Sequence, residues 1–155
     1  MAKAVVVPRN RKALKSYISS VGRRREAIAR VRLYTNTKAE VGGVEVKKGE
    51  IFVNDKPIQE YFRFKPLAPV YNKFLVDMGI AGKYSFTAKV AGGGLNGQLE
   101  ALILGMARAL DKFNTDEFHT SLRDKGYLTR DARVRERRKV GNAGKARRKK
   151  SSPKR

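Results

Sequence analysis

Cysteine is absent from this 155-residue chain, and histidine occurs once, as His119. The lack of cysteine excludes disulfides and thiolate metal sites, and a single histidine argues against a histidine metal cluster or a Ser-His-Asp triad. No serine or carboxylate partner for His119 follows from spacing, so a surface or capping role is expected. No apolar run reaches the roughly 18 residues that a membrane span needs. The sequence therefore predicts a soluble intracellular protein without a metal site.

Acidic residues are scarce as well, because 14 Asp and Glu stand against 36 Lys and Arg, for a formal net charge of +22. The excess is segregated: residues 1–30 carry +8, residues 31–129 carry +3, and residues 130–155 carry +11. A membrane-surface arm would interleave large apolar residues with the basic ones, and the C-terminal segment does not. Nucleic-acid phosphate is therefore the predicted partner.

Three segments follow from this distribution. Residues 1–16 are predicted to be a disordered basic leader, and residues 17–129 a globular RNA-binding core. Residues 130–155 have too few apolar side chains to offset the entropy of ordering them. They are predicted to form an extended basic tail that gains structure when phosphate neutralises it.

Hydrophobic periodicity predicts the elements of the core. Alternation with period two predicts strands over 27–34 and 84–90, and residue composition predicts further strands over 17–21 and 50–53. Gly22 is expected to interrupt the first strand. Period 3.6 predicts a helix over 97–112 with Asn96 as its N-cap. Two more helices are predicted, one over 69–79 between Pro69 and Gly79 and one over 116–124 that ends before Gly126. Because strands and helices alternate, the predicted fold class is α/β, a two-layer α+β arrangement of one sheet with helices packed on it.

A run of arginines flanks the strand 27–34. Arg23, Arg24 and Arg25 precede it, and Arg30 and Arg32 share the face opposite to its predicted core residues. Arginine favours bidentate contact with phosphate, so these five side chains are predicted to bind RNA. The alternative is a solvated edge strand that charge keeps from pairing.

The segment Gly92–Gly97 fits the G-x-G-x-x-G pattern between a strand and a helix. A dinucleotide site would need a further strand after that helix, and residues 112–121 show no strand pattern. Two uses for Gly92, Gly93 and Gly94 stay open. They form a tight turn, or they let RNA approach amide groups at the start of the helix.

Five blocks stand out in order over residues 17–155: Val21–Leu33; Ile51–Pro57 with Glu60–Phe62; Gly92–Gln98 with Gly105–Leu110; Leu128–Arg133 with Glu136–Lys139; and Lys145–Arg148 with the terminal Lys154 and Arg155. Together they resemble the bacterial type of the small-subunit ribosomal protein S9 family. Residues 1–16 match nothing in the family, and residues 149–153 depart from its usual tail segment.

The resemblance implies a ribosomal S5 domain 2-like fold that contains a left-handed crossover, a rare exception to the usual handedness. It also implies binding to ribosomal RNA in the head of the small subunit, beside neighbouring head proteins. The tail of the family reaches the peptidyl site, where its last residues, here Lys154 and Arg155, touch transfer RNA. The predicted ribosomal RNA contacts are Arg23, Arg24, Arg25, Arg30, Arg32, Gly92, Gly93, Gly94, Thr129, Arg130, Arg133, Arg137, Arg138, Lys139, Lys145, Arg147 and Arg148.

The predicted function is accordingly a structural constituent of the small ribosomal subunit that is cytoplasmic and not an enzyme, with no cofactor, small-molecule substrate or membrane partner. Two other classes compete with this function. A nucleoid-type DNA-binding protein would share the charge but bind duplex DNA as tightly as RNA. A dinucleotide-dependent enzyme would rest on the glycine motif alone.

Overall fold

The computed structural model describes residues 17–35, 39–41 and 44–148. The leader, residues 1–16, and the end of the tail with Lys154 and Arg155 lie outside the described residues. The strands are β1 (Ile18–Arg24), β2 (Ala27–Tyr34), β3 (Ala39–Val41), β4 (Val44–Val46), β5 (Ile51–Val53), β6 (Lys56–Pro57) and β7 (Ser85–Ala91). The helices are α1 (Ile58–Tyr61), α2 (Ala68–Asp77), α3 (Leu95–Phe113) and α4 (Thr115–Asp124).

Five strands form one sheet in the order β1-β2-β7-β5-β6, and β3 pairs with β4 separately. Neighbouring strands run antiparallel except β5 and β7, which are parallel. Such a parallel pair needs a crossover connection, and α1 and α2 lie in the chain between the two strands. The predicted mixed class, a sheet with packed helices, is confirmed at this level.

Strand β2 shows the predicted division between its two faces. Its inward side chains are at most 1% exposed, whereas Arg30 and Arg32 are exposed on the other face. The buried set is Ala27, Ala29, Val31 and Leu33. The alternation of residues predicted both faces correctly because β2 lies inside the sheet and meets helix α3 on one face only.

The expectation that Gly22 interrupts the first strand is wrong, since β1 continues through it to Arg24. A Cβ placed on Gly22 would lie 1.9 Å from the carbonyl oxygen of Ala101 in α3. On the helix side, a Cβ on Gly105 would lie 2.6 Å from Cγ2 of Val31. The two glycines therefore let α3 pack directly on the sheet, and the hydroxyl of Ser20 donates to the carbonyl of Gly105 at 2.6 Å.

The helices follow the predicted positions, with differences at their ends. Helix α3 begins at Leu95 with Gly94 as N-cap, so the expected Asn96 cap is wrong. Helix α4 ends before Gly126, as predicted. His119 on α4 does have a carboxylate partner, because its Nδ1 lies 2.7 Å from Oδ1 of Asp111 near the end of α3. The turn between the two helices brings this pair together, which sequence spacing alone did not indicate.

The first four residues of strand β7 are buried on both faces, whereas Lys89 and Ala91 are exposed. Its inward residues join the main core, while Ser85 and Thr87 are buried on the other side. There a second, smaller apolar cluster includes Tyr34 and Val46, and the hydroxyl of Ser85 donates to the carbonyl of Lys47 at 3.0 Å. Among the described residues, no helix is long and apolar enough to cross a membrane.

Candidate nucleic-acid interface

Three arginines and a lysine share the outer face of the sheet. Arg23 on β1 and both Arg30 and Arg32 on β2 are exposed there. The strand register places Lys89 of β7 directly opposite Arg30. Because the strands fix their spacing, these four residues form a rigid basic surface, here called the sheet-face patch. Lys89 is not among the residues predicted from the sequence, although its place between Ala88 and Val90 puts it on the outward face of a strand.

Arg25 belongs to a different surface, at the tip of the turn between β1 and β2. Its φ of 51° is left-handed, an uncommon backbone conformation for a residue other than glycine or asparagine. Gly92, Gly93 and Gly94, here called the glycine loop, pack beside this turn. A Cβ on Gly92 would lie 2.5 Å from the carbonyl oxygen of Glu26, and Gly92 and Gly93 both have positive φ. These two glycines are therefore required by the fold, whereas a Cβ on Gly94 would meet open space.

A chain of hydrogen bonds holds the glycine loop in place. Asn54 exchanges two hydrogen bonds with the backbone of Val90, at 2.8 and 2.9 Å, and donates to the Tyr61 hydroxyl at 3.2 Å. That hydroxyl donates to Gln98 at 2.9 Å, and the Gln98 amide donates to the carbonyl of Gly92 at 3.1 Å. The loop is thus braced from the β5–β6 turn, so the start of α3 is presented in a fixed position.

Arg24 does not share the outer face with its neighbours. Its side chain is only 8% exposed and points to α3, where it pairs with Glu100. The same guanidinium lies 2.9 Å from Asp131 and donates to the carbonyl of Arg133 at 2.8 Å. All of these partners belong to the protein itself. Arg24 therefore joins the first residues of the tail to the body, a role that a run of three arginines did not reveal.

The two acidic residues of the tail are both engaged in ion pairs within the chain. Hydrogen bonds from the side chain and backbone of Arg133 hold the pKa of Asp131 well below its usual range. Arg147 lowers the pKa of Glu136 in the same way, through a hydrogen bond of 2.9 Å from its Nε. That pair closes a loop in which the amide of Lys139 donates to the carbonyl of Lys145 at 3.2 Å.

The predicted contacts thus separate into four places. The sheet-face patch holds Arg23, Arg30 and Arg32, Arg25 lies beside the glycine loop, and Arg24 lies inside, between α3 and the start of the tail. Thr129, just before the tail, and the predicted tail residues are exposed: Arg130, Arg133, Arg137, Arg138, Lys139, Lys145, Arg147 and Arg148. Across residues 130–148, only Arg133 and Arg147 are paired with a tail carboxylate. The other cations of that range remain available to a polyanion.

The described residues support neither a metal site nor a dinucleotide site. In the described part of the chain, no three His, Cys, Asp or Glu residues are grouped so that they could hold a metal ion. Helix α3 is followed by α4 rather than by a strand, so the Gly92–Gly97 motif lacks the second strand of a dinucleotide-binding unit. Fixed cations on a sheet and a cationic tail suit phosphate instead.

Comparison with known proteins decides the family. A family model described as ribosomal protein S9/S16 matches residues 22–155. The chain belongs to the ribosomal protein S9 family. It is similar to "Small ribosomal subunit protein uS9" of Bifidobacterium animalis subsp. lactis, with 42% identity over 120 residues that cover 77% of this chain and 67% of that protein.

The protein of the same name from Porphyromonas gingivalis is 38% identical over 125 residues, or 81% of this chain and 88% of the relative. That from Cytophaga hutchinsonii is 40% identical over 124 residues, covering 80% and 88%. As a member of the S9 family, the chain is a structural protein of the small ribosomal subunit, acting in translation, in a family not known to be enzymatic.

Proposed function

We propose that the folded body anchors the protein on ribosomal RNA in the head of the small subunit, within the cytoplasmic ribosome and beside other head proteins. The tail then follows the RNA to the peptidyl site, where Lys154 and Arg155 contact transfer RNA. The body adopts the S5 domain 2-like fold, with a left-handed crossover between β5 and β7. Arg23, Arg30, Arg32, Arg25 and the glycine loop bind RNA.

The observation that carries this proposal is the sheet-face patch. Side chains in a tail can adapt to any polyanion, but Arg23, Arg30, Arg32 and Lys89 are held at spacings set by the strand register. A fixed array of cations favours one arrangement of phosphates over another, so it supports docking on folded RNA. The buried Arg24 adds a defined exit point for the tail beside the body.

A salt titration of binding to small-subunit ribosomal RNA tests the anchor. Each lost phosphate contact lowers the slope of log affinity against log salt by roughly 0.7–0.9. The double variant Arg30→Gln/Arg32→Gln is therefore expected to lower that slope by about 1.5 and to bind more weakly.

The matched control is Lys83→Gln/Arg123→Gln, which removes the same charge from exposed positions outside the patch. Equal slopes for the two double variants would refute the anchor, because only general charge would then matter. Duplex DNA is titrated in parallel. If it binds as tightly as ribosomal RNA at each salt concentration, a nucleoid-type function is the better account.

The tail proposal has its own test. Deleting Lys154 and Arg155 is expected to leave subunit assembly intact and to speed the loss of transfer RNA from the peptidyl site. The control replaces Lys149 and Lys150 by glutamine, which removes the same charge without shortening the tail. Phosphate contacts carry little base information, so the effect is expected for every transfer RNA. An unchanged dissociation rate at physiological salt would contradict the contact.

A further inference from the structure

A cleft of about 730 Å³ opens where the glycine loop, the β1–β2 turn and the tail meet. Gly93 to Gly97 form one wall at the start of α3, and Arg25 lies at the turn. Phe64 contributes from the segment between α1 and α2, and Val134 and Arg135 contribute from the tail. Four separate parts of the chain therefore build this cleft.

Its apolar lining is exposed. Phe64 and Val134 are each 61% exposed, and Leu95 is 47% exposed. Single apolar side chains on a surface are ordinary, but three that converge on one concave site from distant parts of the sequence indicate an occupant. The net charge of +22 explains an affinity for phosphate, but it does not explain an exposed apolar site.

The rim of the same cleft attracts negative charge. Arg25 and Arg135 are exposed there, against one acidic residue, Glu26. The 19-residue helix α3 begins in the wall with Gly94 as an N-cap that makes no side-chain hydrogen bond. Amide groups at a helix start favour an anion. An apolar floor with a cationic rim matches the two parts of a nucleotide, a flat base and a phosphate.

We propose that this cleft binds one unpaired nucleotide of ribosomal RNA, with its base against Phe64 and its phosphate near Arg25 and Arg135. The proposal rests on the proposed RNA-binding function and adds to it a recognised base. Sequence-specific recognition of RNA uses unstacked bases that pack on aromatic side chains. Asn96 also lines the cleft, and its amide offers a donor and an acceptor to a base edge. An acidic peptide is the less favoured occupant, since two arginines at the rim face a single acid.

The test uses the Phe64→Ala variant in small subunits reconstituted with the full chain, followed by chemical probing of unpaired bases in the RNA. Phe64 is largely exposed, so the fold is retained. Loss of base stacking is expected to weaken binding about tenfold and leave the salt slope unchanged, because no phosphate contact is removed. One RNA base that the unmodified protein protects is expected to become reactive.

Phe64→Tyr keeps an aromatic ring and is expected to restore both protection and affinity, while Val76→Ala, at a side chain 73% exposed on α2, is the control. If Phe64→Ala binds with unmodified affinity and changes no base, the cleft proposal is overturned while RNA anchoring stands. If it instead loses a neighbouring subunit protein with every base still protected, the cleft binds protein and the proposal also fails. If the unmodified protein does not bind ribosomal RNA at all, the proposed function itself is refuted.

Discussion

Removing the charge of Arg24 is expected to release the start of the tail from the body. The side chain is buried, and its hydrogen bond to the carbonyl of Arg133 is lost in Arg24→Gln. A hydrogen bond from a charged donor contributes about 1.5–3 kcal/mol. The figure leaves out the ion pairs, because Glu100 does not belong to the tail and the charge of Asp131 is also balanced by Arg133. Since every 1.4 kcal/mol is about tenfold, the released population should rise roughly tenfold to hundredfold.

Limited trypsin digestion followed by mass spectrometry measures that population at the bonds after Arg133 and Arg135. The cleavage rate is proportional to the population of the released tail when the tail returns to the body faster than it is cut. The expected result is a rise of at least about tenfold in Arg24→Gln, with a circular dichroism melt that shows the body still folded. Arg23→Gln is the matched control, since it removes the same charge from an exposed position one residue away. Equal cleavage rates in the two variants would show that Arg24 does not hold the tail.

Three further predictions follow from the packing of the body. Gly22→Ala should destabilise the fold by about 3 kcal/mol or more, measured by thermal melting, since its Cβ would meet the carbonyl of Ala101 at 1.9 Å; an unchanged melt would contradict the close approach. Burial and the Asp77 carboxylate raise the pKa of Tyr127 to about 12. The tyrosine of the unfolded chain therefore ionises at a lower pH than that of the folded chain, so the free energy of unfolding should fall as the pH rises from 10 to about 12. The fall should be larger than in Tyr127→Phe. Deleting Arg130–Arg155 should leave a folded body by circular dichroism, and loss of the cooperative melt would refute this.

The sequence was a good guide wherever one face of an element decides its burial. Strand β2 alternates small and apolar residues with arginines because one face meets α3 and the other does not. Helix α3 was located by its apolar spacing, and α4 by the stop before Gly126. Local patterns of this kind reflect burial directly, so they can be recognised from the sequence without knowledge of tertiary contacts.

Other features depend on contacts between distant residues. From its neighbours in sequence, Gly22 is predicted to interrupt the strand, but glycine is needed there because the backbone of Ala101 in α3 lies against it. Arg24 reads as one of three surface arginines, and only the meeting of β1, α3 and the tail turns it inward. A Cβ-free strand position and an inward arginine have no local signature. The cleft beside Phe64 is hidden for the same reason, because four segments build it.

The central claim, that the outer face of the sheet lies on ribosomal RNA, can be tested with a tethered probe. The chain has no cysteine, so a single introduced cysteine can carry an iron chelate that cleaves nearby RNA with hydroxyl radicals. Ile28→Cys places the probe on the outer face, beside the sheet-face patch, and Val76→Cys places it on α2. The account predicts localised cleavage of small-subunit ribosomal RNA from position 28 and much weaker cleavage from position 76. Strong cleavage from position 76 with none from position 28 would contradict it.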